Sequence, residues 1–187
     1  MKYLIVGLGN IGEEYRNTRH NIGFVIADSL AASGESVFAT ARYGAVTQMK
    51  YRGRQLLILK PSTYMNLSGK AVHYWMTQEN IPLENILVIS DDIDLDMGVL
   101  RMKAKGSGGT HNGLNHIIEE LETSNFPRLR FGIGRNFSAG QQINFVLGAW
   151  TPEEATIVEE RKKIAVEMIK SFVMAGIGDT MTRYNNK

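Results

Sequence analysis

Short apolar runs bounded by Gly or Pro alternate along most of this chain with stretches in which apolar residues recur at helical spacing. Residues 2–7, KYLIVG, read as a buried strand ending in Gly7. Residues 13–18 are polar, Thr18 is a candidate N-cap, and Ile22, Val25, Ile26 and Leu30 mark a helix reaching Gly34. Alternation around 37–49 and the run 55–59 predict two more strands, the second stopped by Lys60 and Pro61. A helix is predicted over 67–80, a central strand over 86–90, a strand over 99–103 and a flexible glycine loop over 106–109. Leu114, Ile117, Ile118 and Leu121 give an amphipathic helix, and Leu129, Phe131 and Ile133 a strand. Residues 136–149 read as a loop. Pro152, with Glu153 and Glu154 in the first turn, then opens a long helix to about Ala175. Helices between strands predict the α/β class: a single three-layer domain over 1–187, with a central mixed, largely parallel sheet flanked by helices.

Composition narrows the chemistry. The chain has 187 residues, 43% of them hydrophobic, which is enough for one sizeable core. It has no cysteine, which excludes disulfides, a thiolate nucleophile and cysteine-based metal centres and fits a reducing compartment. The apolar run after Met1 lacks the length of a secretory signal, and no other run is long enough to cross a bilayer. The expectation is a soluble cytoplasmic protein with no membrane partner. The net charge is only +2, but its distribution is uneven. Glu84, Asp91, Asp92, Asp94 and Asp96 precede a basic segment with Arg101, Lys103 and Lys105, and a second basic cluster holds Arg128, Arg130 and Arg135. These segments read either as an anion site at strand ends or as solvated strand faces.

Five polar residues sit at strand ends or in the loops after them: Asn10, His20, Asn66, Asp91 and Asn112. In an open α/β sheet such loops converge on one crevice. An imidazole, a carboxylate and three carboxamides suit hydrolysis by an activated water, with no metal or cofactor. His20 falls in a first helical turn, whose dipole favours the neutral, basic imidazole. In an extended segment Asp91 shares a face with Ile93 and Leu95 and so points inward, where His20 is the candidate partner. Asn10 doubles as a turn residue, Asn66 and Asn112 as helix caps, and Tyr64 with Met65 as either a crevice wall or core.

Several other motifs fail on context. Gly7, Gly9 and Gly12 satisfy the dinucleotide fingerprint, but Glu13 and Glu14 lie where a pyrophosphate would bind. The acidic run 92–96 lacks the Gly and the bidentate Glu of a calcium loop, having Met97 and Lys103 there. His73, His111 and His116 lack zinc-ligand spacing, and no serine stands in a nucleophile elbow. Water remains as the nucleophile.

Six motifs occur in order: GLGN at 7–10, TRHNIG at 18–23, MNLSGKAV at 65–72, DDIDL at 91–95, KGSGGTHNG at 105–113 and RLRFGIGR at 128–135. In combination they resemble the bacterial peptidyl-tRNA hydrolase family over almost the whole chain. The resemblance implies a monomeric α/β enzyme that cleaves the ester between a peptide and the 3′-terminal adenosine of tRNA. It makes His20 the catalytic base and Asp91 its orienting partner. Asn10 and Asn66 would hold the peptide and scissile carbonyl, and Asn112 the 3′ end and attacking water. Lys103 and Arg130 would hold a tRNA phosphate, and Tyr15 would flank the crevice. Two positions depart from the family pattern. Ile11 stands where Pro is common, and Thr110 replaces a Gly, so a β-branched residue enters the Asn112 loop. A non-catalytic RNA-binding relative and a nicotinamide-dependent reductase are the alternatives.

Overall fold

The computed structural model describes residues 1–186, and its strands form a single seven-stranded sheet. They are β1 (Lys2–Gly7), β2 (Ala39–Ala41), β3 (Gly44–Tyr51), β4 (Arg54–Pro61), β5 (Ile86–Asp92), β6 (Leu100–Lys103) and β7 (Arg128–Gly132). The helices are α1 (Ile22–Ser33), α2 (Ser68–Gln78), α3 (Asn112–Leu121), α4 (Gln142–Val146) and α5 (Pro152–Tyr184). The strand order is β2-β3-β4-β1-β5-β7-β6, with β4, β1, β5 and β7 mutually parallel and β3 and β6 antiparallel to their neighbours.

Alternation along the inner strands divides the core in two. Ile5, Ile58, Leu87, Ile89, Leu129 and Phe131 face α1 and α5, whereas Leu4, Val6, Leu57, Leu59, Ile86 and Val88 face α2 and α3. This is the expected three-layer arrangement. Gly7 and Gly23 let α1 lie directly on the sheet: a Cβ at Gly7 would strike the Gly23 carbonyl, and one at Gly23 would lie 2.7 Å from the Ile89 oxygen. At the sheet edge, the Asn185 carboxamide accepts from the Met102 N–H at 2.8 Å and donates to the Met102 carbonyl at 2.9 Å.

Several boundaries differ from expectation. The 37–49 segment makes two strands, because Tyr43 takes a positive φ of 63° in the turn between β2 and β3. β4 runs through Lys60 and Pro61; its pairing with β1 ends at Leu59, so Pro61 leaves no ladder bond missing on that side. The 136–149 loop contains the single-turn helix α4. Beyond Ala175 the chain kinks at Gly176, with φ 87°, and resumes as helix to Tyr184.

Candidate active site

The carboxyl ends of β1, β4 and β5 lead to Asn10, Asn66 and Asp91, so the parallel sheet itself gathers these residues at one edge. Asp91 is the next-to-last residue of β5 and is buried, while Asp94 and Asp96 are exposed, as the strand phase predicts. His20 lies in a 3-10 turn, Arg19–Asn21, that runs into α1. Its Nδ1 is 2.9 Å from both oxygens of Asp91. From the other side, Nε2 of His111 is 3.0 Å from Asp91 Oδ1. His111 is the N-cap of α3, and its Nδ1 accepts from the Leu114 N–H at 3.2 Å. That acceptance fixes the His111 proton on Nε2, so the ring donates to Asp91.

Burial alone would raise the Asp91 carboxyl, but the two imidazoles more than offset it and hold it well below the usual carboxylate range. Asp91 is therefore ionised and has no proton to give. His20 carries its hydrogen on Nδ1, leaving Nε2 unprotonated, and among the described residues Nε2 has no hydrogen-bond partner. Burial lowers the His20 pKa, yet the charge of Asp91 and its hydrogen bond bring the net shift above 6.5. This reverses the sequence expectation: the nearby carboxylate outweighs the helix terminus.

The ligand atoms of His20, Asp91 and His111 lie within 4.8 Å of one another, a spacing that a metal ion could use. Their hydrogen bonds favour another use. Both imidazole nitrogens that face Asp91 carry protons, and a metal would have to displace them.

The three carboxamides are presented for binding. Asn21 is buried and clamps the Asn10 backbone, accepting from its N–H at 2.8 Å and donating to its carbonyl at 2.9 Å. Asn66 sits in the 3-10 turn Met65–Leu67 before α2, and Asn112 is the first residue of α3. Neither caps its helix. Among the described residues, the side chains of Asn10, Asn66 and Asn112 make no hydrogen bond within the protein, and Asn66 and Asn112 are exposed. Tyr64 is 80% exposed, whereas Met65 is 7% exposed in the core beneath Asn66, so of the two only Tyr64 can wall a crevice.

His20, Asp91, Asn112, Lys103 and Arg130 line one cavity of about 210 Å³, and Asn10 lines a neighbouring one of about 650 Å³. Tyr15, Tyr64 and Asn66 line neither. Arg130 and Lys103 lie on neighbouring antiparallel strands, offset by one same-face position: Arg130 opposes Arg101, and Lys103 opposes Arg128. The basic segments separate into distinct roles. Arg130 pairs with Asp92 at 3.2 Å and keeps a buried Nε with no partner, while Arg135 pairs with Asp94. Arg128 turns inward and donates to the carbonyls of Gly106, Ser107, Ser124 and Phe126, holding the loop before α3. Its pKa is pushed down to about 10 by burial and by Arg130. Lys103 forms no ion pair among the described residues.

Thr110 does not disturb the Asn112 loop. The left-handed position falls on Gly109, with φ 56°, and the Thr110 hydroxyl instead accepts from Gln142 Nε2 at 2.8 Å, linking that loop to α4. His111 and Asn21 were not marked by spacing. The only signals in the sequence were their places beside Asn112 and His20.

The peptidyl-tRNA hydrolase family model matches residues 4–187. The chain is 59% identical to the peptidyl-tRNA hydrolase of Phocaeicola vulgatus, with all of both chains covered. It is 57% identical to that of Porphyromonas gingivalis over 99% of this chain and all of the other. The crystal structure of peptidyl-tRNA hydrolase from Acinetobacter baumannii superposes with a TM-score of 0.93 at 34% identity, covering 98% of this chain and 94% of that one.

Proposed function

The chain belongs to the peptidyl-tRNA hydrolase family of hydrolases, and we propose that His20, oriented by Asp91, activates the water that cleaves the substrate ester. The observation that carries this is the free Nε2 of His20 behind an Nδ1 held at 2.9 Å by an ionised, buried Asp91. Nε2 takes a proton from water, and the oxygen attacks the carbonyl carbon joining the peptide to the 3′-terminal adenosine. Free carboxamides, Asn10 and Asn66 foremost, donate to the carbonyl oxygen as it becomes an oxyanion. The C–O bond to the ribose then breaks, and the imidazolium returns its proton to the leaving 3′-oxygen. Peptide carboxylate and free tRNA result, with Asp91 stabilising the transient imidazolium.

Asn112, beside His111, orders the 3′ end and the water. Exposed apolar side chains line both cavities, Ile143 on α4 in the one with His20 and Ile11 in the one with Asn10, and Tyr64 is exposed two residues before Asn66. They fit a peptide better than a nucleotide. Tyr15 flanks the same opening, and Lys103 with Arg130 takes a tRNA phosphate near the acceptor end and CCA terminus. In this mechanism residues 1–187 act as one domain, a cytoplasmic monomer that uses no metal or cofactor. No helix among the described residues is long and apolar enough to cross a membrane.

The test is peptide release from N-blocked aminoacyl-tRNA by wild type and His20→Ala, with and without EDTA. Turnover that survives EDTA and falls roughly 10²- to 10⁴-fold in the variant is expected. Near-normal turnover by His20→Ala removes the mechanism, and loss to EDTA restored by added metal reassigns the cluster as a metal site.

A further inference from the structure

The backbone N–H of Gly69 donates to Nδ1 of His116 at 2.9 Å, which joins the first turn of α2 to the second turn of α3. We infer that His116 is a positioning residue for turnover, setting the placement of Asn66 against Asn112. The inference rests on the reading of those two carboxamides as substrate contacts.

Both helices begin at the crevice. Asn66 stands three residues before Gly69, in the 3-10 turn that feeds α2, and Asn112 stands four residues before His116 on α3. Two contacts without a Cβ lock these starts together. A Cβ on Gly69 would lie 2.6 Å from the His116 carbonyl oxygen, and one on Gly113 would lie 2.7 Å from Met65 Sδ. Met65 and Gly113 are the immediate neighbours of Asn66 and Asn112, so the two substrate-facing residues ride on one interlocked contact. Close packing alone resists approach but permits sliding along the interface. A directed hydrogen bond across it restricts that freedom, and His116 supplies the only side-chain hydrogen bond joining α2 to α3 among the described residues, His73 Nδ1 lying 3.8 Å from Glu120 Oε2. The bond also satisfies an amide of the first turn of α2, which has no intrahelical acceptor.

The bond needs an acceptor at the Nδ1 position and nothing else of the imidazole. Asparagine places Oδ1 at the same distance from the backbone, whereas leucine fills similar space without an acceptor. His116→Leu should keep a cooperative thermal transition. Its kcat on N-acetylaminoacyl-tRNA should fall about three- to tenfold with KM within about twofold, since misplaced groups cost rate more than binding. His116→Asn should restore kcat to within about twofold of wild type, as expected where one hydrogen bond is the difference. If the residue acts through Asn66, His116→Leu should cost little more in an Asn66→Ala background.

Equal activity of the Leu and Asn variants overturns the inference, whether both are impaired or neither is. So does a Leu defect that persists in full in the Asn66→Ala background. Should His116→Leu fail to fold, the Asn variant alone decides: wild-type kcat upholds the inference and impaired kcat rejects it. An Asn66→Ala enzyme with unaltered turnover would instead remove the underlying reading of Asn66.

Discussion

His20 Nδ1 lies 2.9 Å from each carboxylate oxygen of Asp91, so the ring is gripped by a fork rather than by a single lone pair. Asp91→Asn preserves the shape but replaces one acceptor oxygen by a donor and removes the charge. Turnover should drop about 10²-fold or more with modest change in KM, as for other His–Asp pairs. The double variant with His20→Ala should be little worse than His20→Ala alone. Additive losses measured in that cycle would show that the two do not act as a unit.

The pH profile follows from the same pair. Burial lowers the His20 pKa and Asp91 more than compensates, so the free base is lost on acidification at a midpoint above 6.5. The acid limb of kcat/KM should lie there, and in Asp91→Asn it should move to lower pH. For stability the signs are opposite for the two partners. The His20 contribution is complete below 6.5 and disappears as pH rises through its raised value. The Asp91 contribution is present above 3.8 and disappears as pH falls through its lowered value. The melting difference between wild type and His20→Gln should therefore be widest between those limits and narrow on the alkaline side; a gap that widens there contradicts the assignment.

Lys103 and Arg130 line the cavity that holds His20, but among the described residues only Lys103 is free of an ion pair. Lys103→Ala should raise KM for full-length peptidyl-tRNA and flatten its salt dependence. Arg130→Ala should do the same and also release Asp92. Neither change should alter cleavage of a blocked aminoacyl ester of a short CCA fragment, which lacks the distal phosphate. Equal damage on both substrates would end the phosphate assignment.

Asn21 supports Asn10 through two hydrogen bonds to its backbone. Asn21→Ala should cost about 1–3 kcal/mol of stability by leaving the part-buried N–H and carbonyl of Asn10 without their partner. Its kcat should fall alongside that of Asn10→Ala, with the two effects less than additive. A destabilised enzyme with normal kcat would confine Asn21 to the fold.

The inner strands and α1 to α3 were legible because burial imposes period 2 or 3.6 on long stretches. The five polar candidates could be picked out because each ends or follows such a strand or stands at the start of a helix. What escaped did so for local reasons. Helix α4 spans only Gln142–Val146, too short to show a period. The last helix, expected to end near Ala175, instead kinks at Gly176 and resumes to Tyr184. His111 was set aside for lacking metal spacing, since nothing in one-dimensional spacing tells that a residue capping α3 through Nδ1 turns its Nε2 toward Asp91. The sign of the His20 shift needed the actual distance to the carboxylate, and Arg128 could not be told from its exposed neighbours until its four carbonyl acceptors were seen.

Strand β6 carries Lys103 and forms the open border of the sheet, where unpaired backbone groups would invite another strand. The Asn185 carboxamide occupies Met102 there as a one-residue imitation of a neighbouring strand. The sheet thus stops by being answered rather than by being blocked, and the basic face beside it stays open to solvent. One residue of that border is already occupied by the chain's own side chain, which makes it a poorer template for an added strand while Arg101 and Lys103 stay exposed beside it.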